Sequence, residues 1–216
     1  MRPIFLALLA TVMAAGSGAA CYDDVTSEFP AGLEPLEANT APTQTGPSYS
    51  ETLAIVEGDD DYLWVHGRGY VEAPAARVWA ALKNPETMVG GCAVDSYSIT
   101  PHVEPAYEFS FQAHYVRNEI ITVEWDNNFR YGTIVGTAET PEFALIRYQK
   151  TYGNEVISLI EGSLQLHKIS ADVTELQYIE HLSAIRATTA DMKASMTQRF
   201  AKALAEAHAE PLPVCP

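Results

Sequence analysis

The sequence is poor in basic residues and in cysteine, and each shortage excludes a class of protein. Lysine and arginine number 13 against 28 aspartate and glutamate residues, which gives a formal net charge of −15 over 216 residues. Because so negative a chain repels a phosphate backbone, we expect no nucleic-acid partner. Three cysteines are too few for a disulfide-built scaffold. The 47% of hydrophobic residues is too high for a wholly disordered chain.

Motifs of metal-binding and catalytic sites are also missing. The six histidines are isolated, with no His-x-His, His-Glu-x-x-His or Cys-x-x-Cys spacing. No nucleophile elbow, phosphate loop or dinucleotide fingerprint occurs. The sequence therefore predicts no metal, no cofactor and no catalytic residue. Two pairs on neighbouring predicted strands, His181 with Glu161 and His167 with Glu175, could still act as a base and its orienting group.

The first 21 residues have the pattern of a secretory signal. Arg2 supplies a positive charge, an apolar run extends from Ile4 to Ala15, and small residues precede Cys21. Ala19-Ala20-Cys21 resembles the end of a bacterial lipobox, although Gly18 stands where Leu or Val is usual. This resemblance implies lipidation of Cys21 and a protein anchored in the bacterial cell envelope. The alternative is a plain signal-peptidase cut after an Ala-x-Ala-like site.

Residues 22–61 are predicted to form a disordered tether. They contain ten of the 28 acidic residues, no basic residue and several prolines, and they show no sustained helical or strand period. Charged linkers that contain proline stay extended. We therefore expect a spacer between a lipid anchor and a folded domain that spans residues 62–216.

From Tyr62 onward the pattern indicates a strand, two short helices, several further strands and a long helix. The first strand is expected over Tyr62–Glu72, with short helices after Pro74 and over Glu86–Val89. Further extended segments are expected at 93–100, 107–116, 120–125, 143–152, 156–169 and 174–186, while 127–142 is ambiguous. Turn-forming residues in short separators favour antiparallel pairing. An amphipathic helix is predicted from Thr188 to about His208, with Arg199 and Lys202 off its apolar face.

The segment Val71–Glu86, with its Ala73-Pro74, Val78-Trp79 and Asn84-Pro85 pairs, resembles the opening of START-like, or SRPBCC, domains. This superfamily includes polyketide cyclases and the birch pollen allergen. Residues 157–166 and 174–178 are similar to its last hairpin. The resemblance implies an α+β helix-grip fold. Such a fold has a curved antiparallel sheet of about seven strands around a long C-terminal helix, with a cavity between them.

The resemblance implies a cavity for a hydrophobic or amphipathic small molecule, such as a lipid or polyketide. Because no catalytic motif occurs, we expect the protein to bind this molecule without transforming it. The cavity candidates combine glycines, aromatic and sulfur-containing side chains and one arginine: Gly67, Gly69, Tyr107, Phe109, Phe111, Arg147, Tyr178, Met192, Met196 and Phe200. One alternative is an enzyme of cyclase or hydrolase type, which requires His181, Glu161, Tyr178 or Arg147 to converge in one pocket. Another is a protein-interaction module of the envelope.

The helix-grip arrangement also bears on the cysteines. Its small helices cradle the far end of the C-terminal helix, which would place Cys92 and Cys215 at one end of the domain. We expect a disulfide between them. The alternative is a free, buried Cys92 with Cys215 on a frayed tail.

Overall fold

The computed structural model describes residues 29–45, 48–89, 92, 94–118 and 120–215. The predicted signal segment with Cys21, and residues 22–28 of the predicted tether, lie outside the described residues. Within the described ranges, no helix combines the length and the apolar character needed to cross a bilayer.

Within the described residues, eight antiparallel strands form one sheet, and three helices pack with it. The strands are β1 (Leu53–Asp59), β2 (Leu63–Val71), β3 (Ser96–Pro101), β4 (Phe109–Asn118), β5 (Thr122–Gly136), β6 (Pro141–Gly153), β7 (Ile157–Lys168) and β8 (Thr174–Ala184). The helices are α1 (Ala75–Leu82), α2 (Pro85–Met88) and α3 (Thr189–Ala207). The strand order is β1-β2-β8-β7-β6-β5-β4-β3.

Helix α3 lies against the inner face of this sheet, as the helix-grip fold requires. It begins at Thr188, whose hydroxyl accepts a hydrogen bond from the Asp191 amide at 3.2 Å. Met192, Met196 and Phe200 on its apolar face are all buried. The helix contacts β1, β2, α1 and α2. The predicted fold class is therefore confirmed, with eight strands rather than about seven.

Two features of the sequence let the sheet curve around α3. Register shifts in the pairing of β5 with β6 occur at Asp126/Asn127 and again beyond Thr133, and such bulges bend a strand. Gly67 and Gly69 of β2 leave the inner face vacant where the helix approaches closely. These bulges also explain why residues 127–142 lacked a clean period in the sequence.

The predicted tether is wrong for its described residues. Strand β1 pairs with β2 from Leu53↔Gly69 to Asp59↔Leu63, and Leu53 and Ile55 pack against the main core. In the sequence alone, the short apolar run of β1 is followed by acidic residues and has the pattern of a linker. Its order comes from the edge of β2, which supplies a complete hydrogen-bonding partner.

Residues 29–45, hereafter the strap, lie across the outer face of the sheet. Leu33 is buried against Phe143 and Leu145. The side-chain amide of Asn39 donates to the backbone carbonyls of Gly67 and Tyr178 at 3.0 Å each. Both contacts join the strap to the middle strands. The folded domain therefore begins well before Tyr62.

Cys92 and Cys215 form the expected disulfide, with a Cα–Cα distance of 5.4 Å. The bond joins the loop after α2 to the segment after α3. It closes a loop of 123 residues between the short helices and the C-terminus.

Candidate functional site

A cavity of about 410 Å³ opens between α3, α2 and strands β4 to β8. This volume falls in the range of small-molecule sites. Most of the wall is apolar or aromatic, with Tyr115, Trp125 and Phe129 on one side and Leu182 and Met192 on the other. Tyr115 and Trp125 stack with ring centroids 5.1 Å apart. Such a wall suits an apolar ligand body.

A buried ionic group stands within this apolar wall. Arg199 of α3 donates from Nη2 to the carboxylate of Glu180 and from Nη1 to Tyr148 Oη at 2.6 Å. The Tyr148 hydroxyl in turn donates to Glu180 Oε2. Burial acts to lower the pKa of Arg199, but Glu180 and Tyr148 outweigh it and raise that pKa. Burial raises the pKa of Tyr148, so its hydroxyl stays protonated and remains a donor.

The strand register explains how these side chains meet. Tyr148 of β6 pairs with Gly162 of β7, and Gly162 pairs with Glu180 of β8. A Cβ on Gly162 would collide with the Tyr148 ring. Because that position has no side chain, the ring lies over the middle strand and its hydroxyl reaches the carboxylate of the third.

Three buried polar atoms of the cavity wall lack hydrogen-bond partners among the described residues. They are Trp125 Nε1, Asn127 Oδ1 and Arg199 Nε, two donors and one acceptor. A buried polar group without a partner costs about 1–3 kcal/mol. All three atoms are shielded from solvent in this structure, so a ligand in the cavity would reach them only after the side chains rotate.

Exposed isoleucines lie at the end of the sheet where the cavity opens. Ile185, which follows β8, lines the cavity and is 69% exposed. Ile120 and Ile121, in the turn between β4 and β5, are also exposed. In an antiparallel sheet with this strand order, both connections lie at the same end. Apolar side chains thus flank the entrance.

A second cluster of chemically active side chains lies on the outer face, under the strap. The Nε2 atoms of His66 and His181 lie 2.7 and 3.1 Å from Glu37 Oε1, and His181 Nδ1 lies 3.2 Å from Glu161 Oε1. Arg147 donates to Glu161 Oε2 at 2.9 Å. Burial acts to raise the pKa of Glu37, but hydrogen bonds from His181 and His66 hold that pKa below its ordinary value.

Of the ten residues predicted for the cavity, Met192 lines it and the other nine do not. Gly67 and Gly69 make room for Met196 and Phe200 rather than for a ligand. Tyr178 meets Phe200 edge-on. Phe109 and Phe111 pack with Tyr131 in the core, while Tyr107 binds the strap through Ala31 and Arg147 lies on the outer face.

The sequence analysis missed the polar residues of the cavity. Arg199 and Lys202 were placed off the apolar face of α3, yet both are 7% exposed. Met196 is four residues after Met192, and Arg199 is three residues after Met196. The helical period therefore already placed Arg199 on the buried face. Its charge masked that signal. No local pattern marked Trp125, Asn127 or Glu180.

The pairs considered for catalysis do not face the cavity. His181 and Glu161 do meet, but on the outer face of the sheet with Arg147. Tyr178 is buried on the inner face against Phe200. His167 and Glu175 are opposite one another in the register, but the Glu175 carboxylate is bound by Arg68. None of the cavity-lining residues in the described ranges is a histidine. The convergence that the enzyme alternative requires is not observed.

No family model and no curated protein sequence matches the chain. Solved structures do. Human STARD10 superposes with a TM-score of 0.50 at 6% identity, covering 83% of this chain and 76% of that one. A STAR-related lipid transfer protein from Xanthomonas axonopodis gives 0.49 at 13% identity, covering 75% and 94%. The Zhui aromatase/cyclase from Streptomyces sp. R1128 gives 0.43 at 11%, covering 73% and 93%. The chain therefore has a START-type helix-grip fold.

Proposed function

We propose that the protein binds an amphipathic small molecule in the cavity between α3 and the sheet and does not transform it. The observation that carries this proposal is the cavity of about 410 Å³, whose mostly apolar wall includes the buried ion pair of Arg199 and Glu180. An apolar ligand body would contact the aromatic residues. A ligand hydroxyl, carbonyl or carboxylate would bind the polar side chains of the wall, and would satisfy the buried donors of Trp125 and Arg199 once these side chains rotate toward it.

The hydrogen-bonded group formed by Arg199, Glu180 and Tyr148 supports ligand binding rather than catalysis. Glu180 and Arg199 are already bound to each other and to Tyr148. A general base needs a basic group within hydrogen-bond reach of the proton that it removes. The Glu180 carboxylate instead accepts hydrogen bonds from Arg199 and Tyr148, and these bonds hold both side chains in place.

The experiment is occlusion of the cavity. Ser195→Phe adds a ring to the α3 residue that lines the cavity, whereas Ala194→Phe adds the same ring on the exposed side of the helix. The probe is 1-anilinonaphthalene-8-sulfonate, which fluoresces in apolar sites. We expect Ser195→Phe to abolish saturable binding and Ala194→Phe to leave it unchanged. Equal binding by both folded variants would contradict the proposal.

We also propose that the domain is exported and held at a membrane by lipidated Cys21. The signal-like segment supports this, and the Cys92–Cys215 disulfide is of the kind that persists in oxidising compartments. Each buried methylene of an acyl chain contributes about 0.8 kcal/mol to membrane binding. In the native host, Cys21→Ser should move the protein from the membrane to the soluble fraction. An unchanged distribution would exclude the anchor.

A further inference from the structure

We infer that Glu37, His66 and His181 form a binding site for a divalent transition-metal cation, Zn²⁺ being the best match. The site lies under the strap on the outer face of the sheet, so it is separate from the cavity and from the proposed function. Isolated in the sequence, the three residues come from the strap, β2 and β8. Two imidazoles with one carboxylate are a common donor set for zinc.

The geometry of the donor atoms fits a cation. One donor atom from each of the three residues lies within 4.8 Å of the other two. Metal–ligand bonds of about 2.0–2.1 Å in a tetrahedron place the donors about 3.3 Å apart. The carboxylate lies 2.7 and 3.1 Å from the two imidazoles. The ion therefore needs these two distances to widen by a few tenths of an ångström, while the two imidazole nitrogens, at most 4.8 Å apart, come to the same spacing. Glu37, whose side chain is 44% exposed, can move by that amount.

The second nitrogen of each imidazole has the partner that a metal-bound histidine needs. Glu161 Oε1 lies 3.2 Å from His181 Nδ1, and Arg147 holds the other oxygen of that carboxylate at 2.9 Å. A carboxylate behind a ligating histidine fixes the ring and raises its basicity. Glu161 would occupy that position here.

Thr40 plays the corresponding part for His66. Its amide lies 3.1 Å from His66 Nδ1 and its hydroxyl 2.8 Å away. Without metal, Nδ1 accepts from the amide and Nε2–H donates to Glu37. With metal on Nε2, the imidazole proton is on Nδ1, and Nδ1–H donates a hydrogen bond to the Thr40 hydroxyl; the bond from the Thr40 amide is then lost. Thr40 thus offers a partner for each tautomer.

The surroundings favour a bound cation that stays open to solvent on one side. Both imidazoles are buried, and the rings of Trp64 and Tyr62 lie against them with centroids 4.9 and 4.4 Å away. Glu37 supplies one negative charge to the ion, and Glu161, which is paired with Arg147, adds a partly neutralised second one behind His181. Three protein ligands leave one position for water or for a ligand from solution.

A cation at this site would fasten the strap to the sheet. Glu37 belongs to the strap, whereas the histidines belong to β2 and β8. An ion that binds the folded chain and not the unfolded chain raises the free energy of unfolding. Metal loading should therefore raise the melting temperature and protect the strap from proteolysis.

The test uses the untagged, purified chain carrying Cys21→Ser, stripped with a chelator and titrated with Zn²⁺ by calorimetry. We expect one equivalent to bind and the melting temperature to rise. Glu161→Gln should weaken binding by about 10–100-fold, and Thr40→Val, which keeps the amide donor but removes the hydroxyl acceptor, should weaken it similarly. Glu37→Gln and His181→Gln should weaken it further. The control is His114→Gln, because His114 pairs with Asp126 outside the cluster.

Either of two results would overturn the inference. One is that Zn²⁺ fails to bind or to raise the melting temperature. The other is stoichiometric binding that Glu37→Gln leaves unchanged. If His181→Gln does not fold, Glu37→Gln decides, because this side chain is partly exposed on the strap. Binding of 1-anilinonaphthalene-8-sulfonate should be the same in all folded variants, so failure here is distinguishable from failure of the cavity proposal.

Discussion

A Cβ placed on Gly69 of β2 would stand 2.5 Å from Cε2 of Phe200 in α3. The missing side chain is therefore what allows the helix to lie this close to the sheet. We expect Gly69→Ala to destabilise the fold by about 1–3 kcal/mol through overpacking. Urea unfolding measures the change. Phe200→Leu in the same chain should recover part of the loss, and a fully additive double variant would contradict this account.

The pair formed by Glu180 and Arg199 predicts a strongly non-additive mutant cycle. Glu180→Leu leaves the buried guanidinium without its counter-charge and should cost about 3–5 kcal/mol of unfolding free energy. The double variant Glu180→Leu, Arg199→Met should be more stable than the single one, because no unpaired charge remains. Lys193→Gln, in an exposed pair with Glu57, should leave unfolding unchanged.

Glu108 predicts a pH dependence of stability. Burial acts to raise its pKa, but hydrogen bonds from Lys83, Thr133 and Trp79 outweigh burial and lower the pKa from 4.5. Since the folded-state pKa is the lower one, the stabilisation is complete above pH 4.5 and is lost as the pH falls through the folded-state value. Glu108→Gln should flatten the pH profile of the unfolding free energy in that acid range. An unchanged slope would exclude this role.

The disulfide between Cys92 and Cys215 should contribute substantially to stability. Closing a loop of 123 residues is worth about 4–5 kcal/mol in the chain-entropy treatment. In urea unfolding, the variant Cys92→Ser, Cys215→Ser should have an unfolding free energy lower by that amount. A reductant should destabilise only the parent chain. Equal unfolding of the oxidised and reduced parent would contradict the prediction.

Sequence reasoning reached the fold because its signals are local. Pro74 and Thr188 mark helix starts, and the spacing of Met192, Met196 and Phe200 marks the buried face of α3. The two glycines of β2 were predicted to line the cavity, but the structure shows that they make room for α3.

What escaped sequence reasoning depends on contacts between distant segments. Strand β1 is ordered by β2, and Glu37 meets His66 and His181 only because the strap crosses the sheet. Glu180 reaches Tyr148 across the vacant position of Gly162, two strands away. Such relationships require the register of the whole sheet, which no single segment specifies.

Native mass spectrometry of the protein purified from its own host tests the binding account most directly. The account predicts an added mass that organic solvent extracts as an unmodified amphipathic molecule. Ser195→Phe should lack it, whereas Ala194→Phe should retain it. The account would be contradicted if the parent carried no extractable ligand and showed no more added mass than the Ser195→Phe variant.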